Sequence, residues 1–170
     1  MLIAIILITQ IFAFDTVKNI DIKRFMGTWY VISAIPTFAE KGCTDAYDIY
    51  TLNEDNTIKI EYYALKNDTP FSIIQKGQII DNINNSKWKV SFVDPWIPFY
   101  TAPYEIIILD AKDYKYMVVG STNNYGWIMS RNQTMSDSIY NDILEELESQ
   151  FKYDTSKFKI VQHNNHKNIN

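Results

Sequence analysis

Ile58-Lys59-Ile60-Glu61-Tyr62 and Trp88-Lys89-Val90-Ser91-Phe92 carry a large or apolar side chain at every second position, with lysine, glutamate or serine between. A period of two is that of a β-strand with one face buried, whereas a helix would scatter the same residues round its circumference. Working outward, short runs of this kind predict eight strands: Thr28 to Pro36, Asp45 to Leu52, Thr57 to Ala64, Phe71 to Ile80, Lys87 to Val93, Tyr104 to Leu109, Tyr114 to Ser121 and Gly126 to Arg131. Turn residues lie between them at Asn53 to Asn56, Lys66 to Pro70, Asp81 to Ser86, Ala111 to Asp113 and Asn123-Asn124. Each strand can join the next directly, which gives an up-and-down meander. Eight antiparallel strands with one apolar face predict closure into a barrel, because closure removes the two unpaired edges.

One segment leaves this period. Ile139, Ile143, Leu144, Leu147 and Phe151 form a stripe with a spacing of three to four, which predicts an amphipathic helix of about four turns packed outside the barrel. Thr134 and Asp137 have the spacing of a capping box at its start. Phe158, Ile160 and Val161 then predict a short closing strand, and residues 163–170 a polar tail that frays, with both histidines, His163 and His166, inside it. At the other end, residues 1–13 are apolar and uncharged and too short to span a bilayer, so they read as a secretory signal peptide. A mature domain over residues 14–162 would then be secreted or lumenal, where the single Cys43 has no internal disulfide partner.

Composition narrows the function. Of 170 residues, 46% are hydrophobic and 21% charged, which describes a packed single domain rather than a disordered chain. The net charge of −4 and the lack of a basic cluster argue against nucleic acid as a partner. Aromatic residues reach 15%, a density that suits a β-rich core or the lining of an apolar pocket. No metal-ligand spacing, phosphate loop or nucleophile elbow occurs, so neither cofactor nor metal is expected and the chain is read as a non-enzyme.

Three motifs in order carry a family likeness. Asp21-Ile22-Lys23-Arg24-Phe25-Met26-Gly27-Thr28-Trp29-Tyr30 resembles the opening of a lipocalin, where a helical turn leads into Gly-x-Trp. Ile108-Leu109-Asp110 with Tyr114-Lys115-Tyr116 resembles the second conserved region, and Trp127-Ile128-Met129-Ser130-Arg131 the third. With the helix and the ending Phe158 to Gln162, the likeness covers about residues 20 to 162 and is similar to the bacterial lipocalin and apolipoprotein D branch. The resemblance implies an all-β, eight-stranded antiparallel barrel with one C-terminal α-helix outside. It implies structural roles for Gly27, Trp29, Asp110 and Arg131: Trp29 plugs the closed end and Arg131 packs across it, while Gly27 either leaves room for the Trp29 ring or takes an unusual φ. Cys43 resembles a cysteine that pairs near the C-terminus in apolipoprotein D, and the pairing cysteine is missing from this sequence.

Candidate ligand contacts follow from strand parity and that likeness. If Trp29 faces inward, so do Val31, Ser33 and Ile35; Tyr125, Trp127 and Met129 share the register of Arg131; Tyr62 follows Ile58 and Ile60. Tyr50, Tyr62, Tyr104 and Trp127 fall toward mid-barrel or mouth, either touching a ligand or filling the interior. The Tyr62 hydroxyl needs a partner there, which a ligand headgroup would supply. Trp96 and Phe99 belong to Val93 to Pro103, a proline-rich aromatic stretch that either forms a lip for ligand, membrane or a second subunit, or folds back and buries its rings. Sequons at Asn67, Asn84 and Asn132 are candidate glycan sites.

The expected function is a secreted lipocalin that carries or sequesters a small hydrophobic ligand: a fatty acid, lysophospholipid or sterol-like molecule. The alternatives are an enzyme acting on such a lipid through Cys43 or a pocket tyrosine, and an interaction protein that binds through the aromatic loop. Peripheral membrane contact through the mouth and a homo-oligomer, including one bridged by Cys43, are the partner expectations beyond the ligand.

Overall fold

The computed structural model describes residues 14–122 and 125–164. The expected signal peptide, the Asn123-Asn124 turn and residues 165–170 of the tail, with His166, lie outside the described residues. The elements are α1 (Ile22–Phe25), β1 (Gly27–Ile35), β2 (Cys43–Leu52), β3 (Ile58–Lys66), β4 (Thr69–Ile79), β5 (Lys87–Asp94), β6 (Thr101–Leu109), β7 (Tyr116–Ser121), β8 (Tyr125–Ser130), α2 (Asp137–Ser149) and β9 (Lys159–Ile160), with a 3-10 turn at Thr155–Lys157. Strands β1 to β8 pair antiparallel in sequence order, and β1 pairs with both β2 and β8, so the meander closes into an eight-stranded barrel.

Two bulges decide which side chains face the interior. In β1 the register against β8 shifts between Val31 and Ser33, so Trp29, Val31 and Ala34 join the inner cluster while Ile35 turns outward. Ser33, expected inside with Ile35, instead accepts a 3.0 Å hydrogen bond from Tyr140 of α2 on the outer face. In β6 the shift between Ile106 and Ile108 sends Ile106 inward and both Ile107 and Ile108 outward. Those outward residues, with Val118 and Ile128, form the apolar patch onto which α2 docks Ile143 and Leu147, followed by Phe151. Burying one such side chain is worth about 1.5–3 kcal/mol, so the patch and the stripe hold the helix in place. The helix is capped by Ser136, whose Oγ accepts from the Ile139 amide, rather than by Thr134.

The C-terminal segment seals a seam. Pairing of β1 with β2 stops at Tyr30 and Tyr47, and β9 continues the edge by pairing with Ser33 and Ala34. Val161 N donates to Ile32 O at 3.0 Å and Asp45 N to Gln162 O at 2.8 Å, so the chain bridges the two strands. His163, expected in a fraying tail, is docked there: its Nε2 lies 2.8 Å from Val31 O and its ring meets Tyr30 edge-on. Asn164 follows, bonded to the Asp45 carboxylate. Among the sequons, Asn67 and Asn132 are exposed. Ser86 of the third is fully buried and hydrogen-bonded to Thr16 and Asp81.

Candidate ligand cavity

The closed end of the barrel is solid. Trp29 is fully buried and donates from Nε1 to Phe25 O at 2.8 Å. Arg131 lies over the indole, 3.7 Å from its ring centre, and gives Nη1 to Thr28 O and Nη2 to Arg24 O and Phe25 O at 2.8 to 3.0 Å. Burial lowers the Arg131 pKa to about 10, which leaves it charged at neutral pH. Gly27 has φ of +96°, and a Cβ there would sit 3.5 Å from Arg131 Nη1, so the position favours glycine mainly through its backbone angle. Asp110 closes the β6–β7 turn by accepting from the Asp113 and Lys115 amides. Phe25 stacks its edges against Trp88 and Tyr50 at 5.4 and 5.5 Å, completing an aromatic plug.

Above this plug is a cavity of about 400 Å³, open toward the β1–β2 loop (residues 36–42) and the β5–β6 loop (residues 95–100). Its floor is Tyr104, stacked on Trp88 at 5.0 Å, and Tyr50 beside it. Ile60, Ile73, Val90, Val119 and Met129 make its walls apolar, each delivered by the inward parity of its strand. A second groove of about 650 Å³ runs outside the barrel beside α2, but Asp15, Lys18, Glu146 and Lys152 line it and it opens broadly to solvent.

The ionisable groups of the cavity are acids and phenols, beside the neutral Thr37, Gln75 and Ser121. The Tyr50 and Tyr104 hydroxyls are 2.5 Å apart, and Tyr50 also donates to Asp48 Oδ2 at 3.2 Å. Asp48 sits on β2 opposite Trp29 of β1 and Tyr62 of β3. Burial, reinforced by the charge of Glu40, raises its pKa to about 8, so its carboxyl is largely protonated at neutral pH. Burial likewise pushes Tyr50 and Tyr104 well above the usual phenol range, keeping both as neutral hydroxyls. Nearer the mouth, Glu40 accepts from Trp127 Nε1 at 2.8 Å and from both the amide and hydroxyl of Thr37. Among the described residues, no lysine, arginine or histidine lines the cavity.

Tyr50, Tyr62, Tyr104 and Trp127 therefore share one cavity wall and floor. Trp96 and Phe99 do not: Trp96 is 74% exposed, Phe99 is wholly exposed, and the β5–β6 loop sends Ile97 and Tyr100 to the rim instead. The loop is also shorter than the sequence implied, because Thr101 to Pro103 pair with β5 as the start of β6. The Tyr62 hydroxyl lies near the Cys43 thiol, which itself donates to Ala39 O at 4.0 Å. Burial raises the Cys43 pKa, which leaves the thiol a poorer nucleophile than a free cysteine. Asp48 and Glu40 are the residues that sequence reasoning missed. Asp48 had a signal, since it lies two positions before inward Tyr50; Glu40 lies in a loop with none.

Comparison with known proteins agrees with this architecture. The family model described as a lipocalin-like domain matches residues 20–163. Temperature-induced lipocalin-1 of Arabidopsis thaliana is 32% identical over 149 residues, spanning 84% of this chain and 79% of that protein. The outer membrane lipoprotein Blc of Escherichia coli K12 is 30% identical, over 86% of this chain and 81% of its own length. Apolipoprotein D of Macaca fascicularis is also 30% identical, over 87% and 79%. Among solved structures, insecticyanin of the tobacco hornworm Manduca sexta superposes with a TM-score of 0.69 at 14% identity, covering 90% of this chain and 86% of that one, a likeness of fold.

Proposed function

Because the chain belongs to the lipocalin family, on the side that holds apolipoprotein D and the Blc lipoproteins, we propose that it binds and carries or sequesters a small hydrophobic ligand inside the barrel. The observation that carries this reading is the 400 Å³ cavity, apolar along its walls and sealed below by Trp29, Trp88 and Phe25. An apolar chain or fused-ring body burying roughly 200 Å² of its surface there gains about 5 kcal/mol at 25 cal/mol per Å². Fatty acids, lysophospholipids and sterol-like molecules all offer such a body. Binding rather than catalysis is supported by the raised pKa of Cys43 and by tyrosines held as neutral hydroxyls.

Residues 1–13 fit export, and the Blc relative is, by its name, an outer membrane lipoprotein. The exposed Phe38, Trp96 and Phe99 ring the open end, and this aromatic lip supports peripheral contact with a lipid surface during ligand exchange. The test is titration of the neutral apolar fluorophore N-phenyl-1-naphthylamine into the wild type, Trp127→Ala and Tyr62→Ala. The reading expects saturable one-to-one binding, weakened several-fold in both variants. Equal affinity in all three would move the site out of the barrel.

A further inference from the structure

We propose that the polar end of the ligand is a protonated amine: the barrel selects cationic amphiphiles, whose ammonium group is received by Asp48 among the cavity's aromatic rings. This rests on the reading of the cavity as the ligand site and goes beyond it by fixing the charge of the occupant.

The charge inventory of the cavity has one sign. Among the described residues its ionisable side chains are Glu40, Asp48 and tyrosines, with no basic group. The nearest cations are committed elsewhere. Arg131 spends its guanidinium on carbonyls beneath the plug, and Lys66, which is not in the cavity lining, bonds to Ala39 O at 2.6 Å. A carboxylate ligand would therefore give up water to face the Glu40 carboxylate at the mouth with no cation in the cavity lining to offset it. An ammonium meets the opposite situation.

Asp48 is built to accept it. The residue is only 8% exposed, it lines the cavity, and one of its oxygens takes a hydrogen bond from Tyr50 while Oδ1 takes none among the described residues. A carboxyl oxygen without a hydrogen bond in a cavity-lining residue is a place for a donor that arrives with the ligand. The rings of Tyr50, Tyr62, Tyr104 and Trp127 surround the same space, and their faces attract a cation further. Glu40, whose oxygens are held by Trp127 and Thr37, adds negative potential at the mouth without direct contact.

Proton release follows. The groups facing Asp48 are Tyr50 on its own strand, Tyr62 from β3, Tyr104 from β6 and Glu40 from the mouth loop, and none of them is a cation that would hold its carboxylate ionised. The empty site therefore keeps the Asp48 proton at neutral pH. An arriving ammonium keeps its own three protons, forms an ion pair with the carboxylate, and the single Asp48 proton leaves to solvent. Affinity for the amine then rises as pH climbs toward 8, and falls once the amine itself deprotonates near pH 10.

The experiment compares three ten-carbon probes, decylammonium, decanoate and decan-1-ol, by calorimetry at pH 7 in phosphate and in Tris, buffers of different ionisation enthalpy. Decylammonium is expected to bind at least ten-fold more tightly than decanoate and to release close to one proton. Asp48→Asn should abolish the release and narrow the amine preference; if that variant does not fold by circular dichroism, Glu40→Gln should narrow the preference in its place. Decanoate binding as tightly as the amine, or amine binding without proton release, would overturn the proposal while leaving the cavity reading intact. Failure of all three probes to bind would overturn both.

Discussion

The indole nitrogen of Trp127 donates to Glu40 Oε1 at 2.8 Å, tying the β8 wall to the loop that overhangs the mouth of the barrel. The two residues are 87 positions apart in the chain, and the same Glu40 carboxylate holds the Thr37 amide and hydroxyl. Trp127 is thereby both a wall of the cavity and a latch on its entrance.

Loss of that latch should appear first in kinetics. Trp127→His or Trp127→Phe retains a ring but shortens or removes the donor, and a hydrogen bond to a charged acceptor is worth about 1.5–3 kcal/mol at most. Stopped-flow release of N-phenyl-1-naphthylamine from Trp127→Phe should be about ten-fold faster than from wild type. An unchanged release rate would show that the Trp127 bond does not hold the loop, leaving Lys66 as its tie to the barrel.

At the opposite end, Arg131→Ala uncovers the Trp29 ring and takes the donor from the Thr28 and Arg24 carbonyls, leaving Phe25 O with Trp29 Nε1 alone. A loss of roughly 2–4 kcal/mol of stability is expected, with little change in affinity for a neutral probe. Arg131→Lys should recover only part of it, since an ammonium cannot stack on the indole while forking to three carbonyls. Thermal melts and titrations side by side check this; normal melting with abolished binding would contradict it.

Asp48 gives the pH dependence a sign. Its folded pKa of about 8 exceeds the usual 3.8, so between these values the folded state keeps a proton that the unfolded chain releases. Its contribution is fully present below about pH 4 and is lost as pH rises through 8. Asp48→Asn should therefore be more stable than wild type at pH 9, by on the order of a few kcal/mol, with the difference shrinking toward pH 4. Urea melts at pH 5, 7 and 9 measure it, and a pH-independent difference would contradict the burial argument.

Cys43→Ser should change little. Serine keeps a hydroxyl in reach of Tyr62, and no disulfide is lost. Probe affinity within two-fold of wild type and a stability change below about 1 kcal/mol are expected. Abolished binding would assign the thiol a part in the site.

The barrel was legible because its strands alternate cleanly where they matter: Trp88, Val90 and Phe92 face in, with Lys87, Lys89 and Ser91 between, and the structure follows that parity. Parity failed at Ser33 because Val31-Ile32-Ser33-Ala34-Ile35 is apolar or small throughout, and such a run carries no mark of where a bulge resets the face. Thr134 and Ser136 are equally good caps by chemistry, and only the docking of Ile143 and Leu147 decides between them. His163 looked like tail because the gap it fills exists only after β1 and β2 diverge. The cavity's aromatics were readable from alternation. Asp48 was readable in principle, as a charged residue on an inward face, while Glu40 acquires its role through a contact across the barrel that no local pattern encodes.

Nitrogen-15 labelling of the four tryptophans separates binding in the barrel from binding at the lip. Indole Nε1–H resonances of Trp29, Trp88, Trp96 and Trp127 report the plug, the floor, the exposed loop and the wall. On saturation with decan-1-ol, or with decylammonium, the account predicts a large shift at Trp127, a smaller one at Trp88 and none at Trp96. A shift confined to Trp96 would contradict it and place ligand binding on the outside of the barrel.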